Sequence, residues 1–143
     1  MKRMHVMLRV ADLDASISFY AALFGEQPGK RKADYARWML DDPRLNFSIA
    51  QTDDAHGIEH LGIQAETPDE LAELRARIDA AGGTVVNEGE TTCCYATSDK
   101  TWVVDAQGVS WEAFHTSGDA ETYRSAAPVA AGVPCCAPGS ACC

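Results

Sequence analysis

The sequence predicts an α+β fold built from two copies of a βαβββ module. Strand-like segments, in which apolar and polar residues alternate, occur in two groups, and each group includes one stretch with helical spacing of its apolar residues. Shifting the chain by 55 residues places His5 on His60 and Asp14 on Asp69. A repeat of this length is typical of a duplicated supersecondary unit.

The first module is predicted at residues 3–52. Its strand-like segments are Met4–Val10, Tyr35–Leu40 and Leu45–Gln51. Residues 12–24 carry apolar side chains at helical spacing, and Gly25 directly after them is a typical helix stop. The Asp-Asp-Pro-Arg sequence at residues 41–44 indicates a turn, so the last two strands are expected to form a hairpin.

The second module is predicted at residues 58–117, after a polar linker. Thr67 and Pro68 have the properties of an N-cap and a first helical residue, and the helix that they begin is expected to end at Gly82. The strand-like segments around this helix are Glu59–Ala65, Thr84–Glu88, Tyr95–Ser98, Thr101–Asp105 and Ser110–His115. Residues 1–123 are therefore expected to form one domain.

Residues 124–143 differ in composition, because they are rich in Ala, Pro and Gly and contain no aromatic residue. We expect a flexible tail in this region. It carries two adjacent cysteine pairs, Cys135–Cys136 and Cys142–Cys143. These pairs either collect a thiophilic ion or are an incidental feature of the terminus, and the sequence favours neither interpretation.

The charge and hydropathy of the chain exclude several classes of binding partner. A net charge of −9 argues against nucleic acid and against an anionic membrane surface, because phosphates would be repelled. No apolar run approaches the roughly 18 residues that a membrane-spanning helix needs. The basic start of the chain lacks a signal-peptide core, because charged residues interrupt it. We expect a cytoplasmic monomer or homodimer that acts on a small molecule.

Three strand residues are candidates for metal ligands. His5, His60 and Glu112 lie far apart in sequence, and two imidazoles with one carboxylate suit a divalent transition metal that keeps open coordination positions. In paired modules the first and last strands line one face, so the three side chains can converge. The residue of the first module that matches Glu112 is about Phe47, which cannot bind a metal. The alternative is that they are ordinary surface or hydrogen-bonded residues.

The two other histidines are weaker candidates. His56 lies in the linker and is expected to be exposed, and His115 is three residues from Glu112 on the same strand, so it should face the opposite side.

The adjacent cysteines Cys93 and Cys94 are a second candidate site. Neighbouring thiolates can both reach one soft acceptor, a preference that extends from soft metals to trivalent arsenic. The flanking threonines and Gly89 suggest a loop or strand edge where the thiols are accessible. The alternative is a pair of small residues, at least one of them buried, without a chemical role.

Several stretches of the chain resemble the vicinal oxygen chelate superfamily. Residues 10–25 and the His-Leu-Gly-Ile sequence at 60–63 are of the kind found throughout that superfamily. The Thr-Cys-Cys-Tyr-Ala segment at 92–96, with Asp-Lys-Thr-Trp-Val at 99–103, is more specific. Together with Trp111-Glu112 and the tail cysteines, it is similar to the organoarsenical carbon–arsenic lyases and the related cadmium-induced proteins.

This resemblance implies a vicinal oxygen chelate fold and a particular chemistry. Lyases of this group depend on Fe(II) and use O2 to break the C–As bond of trivalent organoarsenicals such as methylarsenite, with release of arsenite. By position, His5, His60 and Glu112 match the metal ligands of the group, and Cys93 and Cys94 match the residues that bind arsenic.

Other functions remain open at this stage. A non-catalytic protein that sequesters Cd(II) or As(III) would need the cysteines but not the histidines. A glyoxalase or extradiol-type enzyme would need the metal ligands but not Cys93 and Cys94, although glyoxalases usually use four ligands rather than three. A drug-binding protein of the bleomycin-resistance kind would need neither set.

Overall fold

The computed structural model describes residues 1–123 and contains the βαβββ order twice. The first copy consists of β1 (Arg3–Val10), α1 (Leu13–Phe24), β2 (Lys30–Arg31), β3 (Tyr35–Asp41) and β4 (Arg44–Gln51). The second consists of β5 (Gly57–Ala65), α2 (Pro68–Ala81), β6 (Thr84–Cys93), β7 (Ala96–Val104) and β8 (Ser110–Asp119). The predicted flexible tail, with Cys135, Cys136, Cys142 and Cys143, lies outside the described residues.

All eight strands form one sheet in the order β2-β3-β4-β1-β5-β8-β7-β6. At its centre β1 and β5 pair in antiparallel orientation. In each copy the first strand also pairs in parallel with the last, β1 with β4 and β5 with β8. The two halves of the sheet therefore repeat the same connections, and β1, β5 and β8 lie side by side.

Both helices begin and end where the sequence predicts. The Asp12 side chain caps α1 by accepting a hydrogen bond from the Ala15 amide at 2.9 Å. Gly25 ends that helix in the left-handed region, with a φ of 76°. The Thr67 hydroxyl accepts from the Glu70 amide at 3.2 Å to cap α2, which starts at Pro68.

The helices cover one face of the sheet and leave the other for a site. Leu13 and Ile17 of α1 pack with buried strand residues that include Trp38 and Phe47. Leu71 and Leu74 of α2 pack in the same way against their own half of the sheet. Because side chains alternate along a strand, the neighbours of these core residues point to the opposite face.

The strands of the second half are longer than the sequence predicts. The predicted strand Thr84–Glu88 continues to Cys93, and the segments predicted at Tyr95–Ser98 and Thr101–Asp105 are one strand, β7. Gly89, with a φ of 72°, lies at a β-bulge inside β6 rather than at its end. The bulge shifts the alternation of inward and outward side chains by one residue, so the sequence pattern indicated that the strand ends there. The two-residue strand β2 is too short to produce a pattern.

Within residues 1–123, no helix is long and apolar enough to cross a membrane.

Candidate metal centre and cysteine pair

The structure brings the three predicted ligand residues together. His5 on β1, His60 on β5 and Glu112 on β8 are all buried, and their ligating atoms lie within 4.8 Å of one another. Glu112 Oε1 is 3.3 Å from His5 Nε2 and 3.4 Å from His60 Nε2. Donors that bond to one ion at roughly 2.1 Å lie up to about 4 Å apart. Both distances to Glu112 Oε1 fall in this range, so the cluster suits a single divalent metal ion.

A backbone carbonyl fixes the orientation of the His5 ring. His5 Nδ1 lies 3.0 Å from the Asn46 carbonyl oxygen, which can only accept a hydrogen bond, so Nδ1 carries the proton. The lone pair of the neutral ring is then on Nε2, the nitrogen that faces Glu112. The edge of Phe114 packs against the same ring, with centroids 5.3 Å apart.

His60 is held by a side chain instead. Its Nδ1 lies 3.4 Å from the Glu59 Oε1 atom, and the Trp102 ring packs edge-on against it at 5.1 Å. Its Nε2 is buried and makes no hydrogen bond of normal geometry among residues 1–123, although Glu112 Oε1 lies 3.4 Å away. A buried nitrogen left without a partner is costly, and a coordination bond would satisfy it. The donor set and this nitrogen both fit a metal ion.

Lys100 holds the other oxygen of the carboxylate. Its Nζ donates to Glu112 Oε2 at 3.2 Å, and both side chains are buried. Burial by itself would raise the pKa of Glu112, but the positive charge of Lys100 and the attraction of the two imidazoles lower it to about 2. Glu112 is therefore an anion at neutral pH, with Oε1 directed to the histidines.

The pKa values of the two imidazoles move in opposite directions. Burial lowers the pKa of His5 to about 4, so this ring is neutral at pH 7. Burial also acts to lower the pKa of His60, but the carboxylates of Glu112 and Glu59 outweigh it and raise the pKa to about 9. One ring is thus ready to bind a metal, and the other must first lose a proton.

The adjacent cysteines open onto the same cavity as the three ligand residues. Cys93 ends β6 and is buried, Cys94 is half-buried, and neither forms a disulfide. Their sulfur atoms are 3.5 Å apart. The cavity that they share with His5, His60 and Glu112 has a volume of about 30 Å³. This is room for a small ligand beside the three ligand residues.

A tight turn presents the thiols. Cys94 and Tyr95 connect β6 to β7 and have φ angles of 54° and 59°, as in a two-residue turn with both central residues left-handed. Neither residue is the glycine or asparagine that such turns favour, so contacts with other parts of the chain must stabilise the turn. The Tyr95 hydroxyl donates to Asp34 Oδ1 at 2.7 Å, and the Cys94 amide donates to the Tyr123 carbonyl at 2.6 Å.

One position in the repeat was predicted wrongly. Phe47 does not correspond to Glu112, because Phe47 packs in the core beneath α1. In the sheet register Gly62 of β5 pairs with Glu112 of β8. The residue that matches Gly62 in the first module is Met7, and Met7 pairs with Ser48 of β4. Ser48 lines the cavity, and its hydroxyl lies 2.9 Å from the Tyr35 hydroxyl. The first module therefore has a hydroxyl, and not a carboxylate, at the position that matches Glu112.

The sequence did not reveal the supporting residues Glu59 and Lys100. A lysine on a strand is normally exposed, and the ion pair with the buried Glu112 carboxylate accounts for the burial of Lys100 here. Glu59 precedes His60, so strand alternation assigned it to the opposite face. His56 and His115 are outside the cluster of ligating atoms, as expected.

The βαβββ module occurs twice, and two imidazoles and a carboxylate converge at the central strands. These features define a class of protein with a candidate metal site between its two halves. The chain belongs to the Glyoxalase/Bleomycin resistance protein/Dioxygenase superfamily, whose family model matches residues 2–113.

Several similar proteins carry names that refer to organoarsenicals or cadmium. The trivalent organoarsenical cleaving enzyme of Bacillus sp. (strain MD1) is 41% identical over 132 residues, which cover 90% of this chain and 81% of that protein. The enzyme of the same name from Thermomonospora curvata is 37% identical over 140 residues, 96% of this chain and 90% of the relative. Cadmium-induced protein CadI of Mycobacterium tuberculosis is 37% identical over 126 residues, 87% of this chain and 83% of CadI.

Solved structures agree on the fold. The Mn(II)-bound glyoxalase from Novosphingobium aromaticivorans has a TM-score of 0.58 and 22% identity, covering 89% of this chain and 44% of that chain. An extradiol ring-cleaving dioxygenase from B. fuscum has a TM-score of 0.59 and 17% identity, covering 83% of this chain and 34% of that chain.

Proposed function

We propose that this protein is a carbon–arsenic lyase that cleaves trivalent organoarsenicals such as methylarsenite and releases arsenite, with Fe(II) and O2. The observation that carries the proposal is that one cavity is lined by both the three candidate metal ligands and the two adjacent thiols. The names of the relatives that are 37–41% identical support the same role.

Each residue type has a distinct part in this chemistry. Fe(II), when bound by His5, His60 and Glu112, would supply the activation of O2. Each thiol of Cys93 and Cys94 replaces one oxygen ligand of As(III), and water leaves. Two S–As bonds then fix the arsenic and direct its carbon substituent, so the reaction occurs in a positioned complex.

The imidazoles of His5 and His60 and the phenol of Tyr35 are shielded from solvent around the arsenical. The aromatic rings of Trp102 and Phe114 cover the two imidazoles. Burial raises the pKa of Tyr35, so its phenol stays protonated beside Ser48.

The test is arsenic speciation after turnover. The protein is loaded with Fe(II) without oxygen and then given methylarsenite and air, and arsenite is separated and quantified. We expect arsenite only when both Fe(II) and O2 are present. His60→Ala should abolish its formation, whereas His115→Ala, a histidine outside the cluster, should not.

The cysteines are tested separately from the metal. Cys94→Ser should remove the second S–As bond, so that methylarsenite binding and cleavage are lost while Fe(II) is retained. Full activity in Cys94→Ser, or arsenite formation without Fe(II), would contradict the proposal.

The similarity to CadI supports a second candidate, a thiolate protein that sequesters Cd(II) or As(III) without cleavage. It depends on Cys93 and Cys94 alone. Tight Cd(II) binding that survives His60→Ala, together with methylarsenite that is bound but not converted, would favour this function over the first.

A further inference from the structure

Glu59 occupies an irregular position in the central pair of strands. Met7 of β1 pairs with His60 of β5, but the next residue, Leu8, pairs with Ile58. Glu59 is therefore the extra residue of a β-bulge. In a regular strand Glu59 and His60 would point to opposite faces, whereas a bulge redirects a side chain. Here it places the Glu59 carboxylate beside the His60 ring.

The Glu59 carboxylate is enclosed and both of its oxygens have partners. Its side chain is only 2% exposed. Oε2 accepts from Arg9 Nε at 3.1 Å, and Oε1 lies 3.4 Å from His60 Nδ1. Arg9 follows His5 and Met7 at intervals of two along β1, so its side chain reaches the same face. The guanidinium balances the buried carboxylate and leaves Oε1 for the imidazole.

We propose that Glu59 is a positioning residue that keeps the proton of His60 on Nδ1 and strengthens Nε2 as a metal donor. This inference rests on the metal site of the proposed function. A carboxylate can only accept from the ring, so Nε2 is left to face the cluster. A charged acceptor on the far nitrogen also raises the basicity of a ligating imidazole. His5, by contrast, has only the neutral Asn46 carbonyl in that place.

The different partners of the two rings make His5 and His60 unequal as metal donors. The ring with the carboxylate partner is the stronger donor, and the bulge at Glu59 exists on only one side of the pseudo-symmetric strand pair. A merely structural Arg9–Glu59 ion pair would not require the bulged residue to contact the His60 ring, and its loss would lower stability without changing metal binding.

The experiment measures metal binding rather than turnover. Co(II) is titrated into the metal-free protein, and its visible absorption gives the dissociation constant. We expect Glu59→Ala to bind Co(II) roughly 10- to 100-fold more weakly than the unmodified chain. Glu59→Gln keeps an acceptor oxygen but not its charge, so its Co(II) dissociation constant should lie between those of Glu59→Ala and the unmodified chain. It replaces Glu59→Ala in the test if the alanine variant does not fold.

Asp99→Asn is the matched control. Asp99 is a strand carboxylate paired with an arginine, Arg75, at 2.6 Å, and it does not line the cavity. Its substitution removes the same charge and the same kind of ion pair, so Co(II) binding should stay within twofold. In the Zn(II)-loaded protein, the His60 Nδ1 proton signal should shift in Glu59→Gln and remain unchanged in Asp99→Asn.

Equal Co(II) affinity in Glu59→Ala and the unmodified chain, or an equal loss in Asp99→Asn, would overturn the inference. Failure of the proposed function looks different. If the unmodified protein binds Co(II) and Fe(II) but leaves methylarsenite intact, the lyase proposal fails while the role of Glu59 stands. If the unmodified protein binds no divalent ion, both are overturned.

Discussion

His5 and His60 have the same side chain, but their pKa values are shifted in opposite directions in the metal-free protein. The His5 ring is neutral because burial lowers its pKa to about 4. The His60 ring is protonated at pH 7 because Glu112 and Glu59 overcome the effect of burial and raise its pKa to about 9. A local difference in partners, rather than in residue type, thus sets at which histidine a proton competes with the metal for the ring nitrogen.

Metal binding should therefore release about one proton at pH 7, and that proton comes from His60. The His60 pKa is raised, so the competing proton is bound below about 9 and absent above it. The affinity for Co(II) should rise about tenfold per pH unit towards that value and then level off. Titrations at several pH values measure how the Co(II) affinity changes with pH. Calorimetry in two buffers of different ionisation enthalpy gives the number of protons released on binding. An affinity independent of pH between 7 and 9 would contradict this assignment.

At the scale of the strands, the close approach of β5 to β8 depends on a missing side chain. A Cβ atom on Gly62 would lie 2.7 Å from both the Cγ and the carbonyl oxygen of Glu112. The backbone of β8 cannot yield without moving the carboxylate that faces the histidines. Gly62 is therefore part of the candidate metal site although it contributes no ligand.

Gly62→Ala should destabilise the protein by about 1–3 kcal/mol, as overpacking does, and should also weaken Co(II) binding. Gly118→Ala is the control, because a Cβ there meets nothing within 4 Å and its φ is not left-handed. It should change stability by less than about 0.5 kcal/mol. Denaturant unfolding and Co(II) titration of both variants check this. Equal effects at the two glycines would show that the contact with Glu112 is unimportant.

The β6–β7 hairpin carries the thiols, and the first module holds its tip. Lys30 Nζ donates to the Tyr95 carbonyl at 2.9 Å, and the Tyr95 hydroxyl donates to Asp34. Both partners come from the region of β2 and β3. These contacts offset the cost of two left-handed residues that are not glycine. The hairpin end is thereby fixed over the cavity rather than projecting into solvent.

At the scale of the whole molecule, the candidate metal site joins the two modules. His5 comes from the first copy, and His60 and Glu112 come from the second. An ion bound to all three would bridge the central β1–β5 pair, so its binding free energy would add to the stability of the complete chain.

Co(II) at a hundredfold excess over its dissociation constant should raise the free energy of unfolding by about 2.7 kcal/mol. A chelator should reverse the gain. His60→Ala should remove it, and His115→Ala, outside the cluster, should retain it. Denaturant unfolding with and without the ion measures the difference. Stabilisation that persists in His60→Ala would place the ion elsewhere.

The sequence by itself determined the repeated module, the helix limits and the five candidate site residues. Apolar spacing and caps such as Asp12 and Thr67 are local properties, so they predict helices directly. The repeat set His5 and His60 at equivalent positions, which makes their convergence a consequence of symmetry. The resemblance around Cys93 and Cys94 added the expectation of arsenic chemistry.

The tertiary structure alone decided the surroundings of these residues. The bulge that turns Glu59 towards His60 depends on pairing with a distant strand, and a regular alternation assigns it the wrong face. The burial of Lys100 depends on Glu112 across β7 and β8, because a charge is tolerated inside only beside its partner. The position that matches Glu112 is set by strand register, which gives Ser48 and not Phe47. Local patterns fix periodicity, whereas register and charge pairing are set only when separate strands meet.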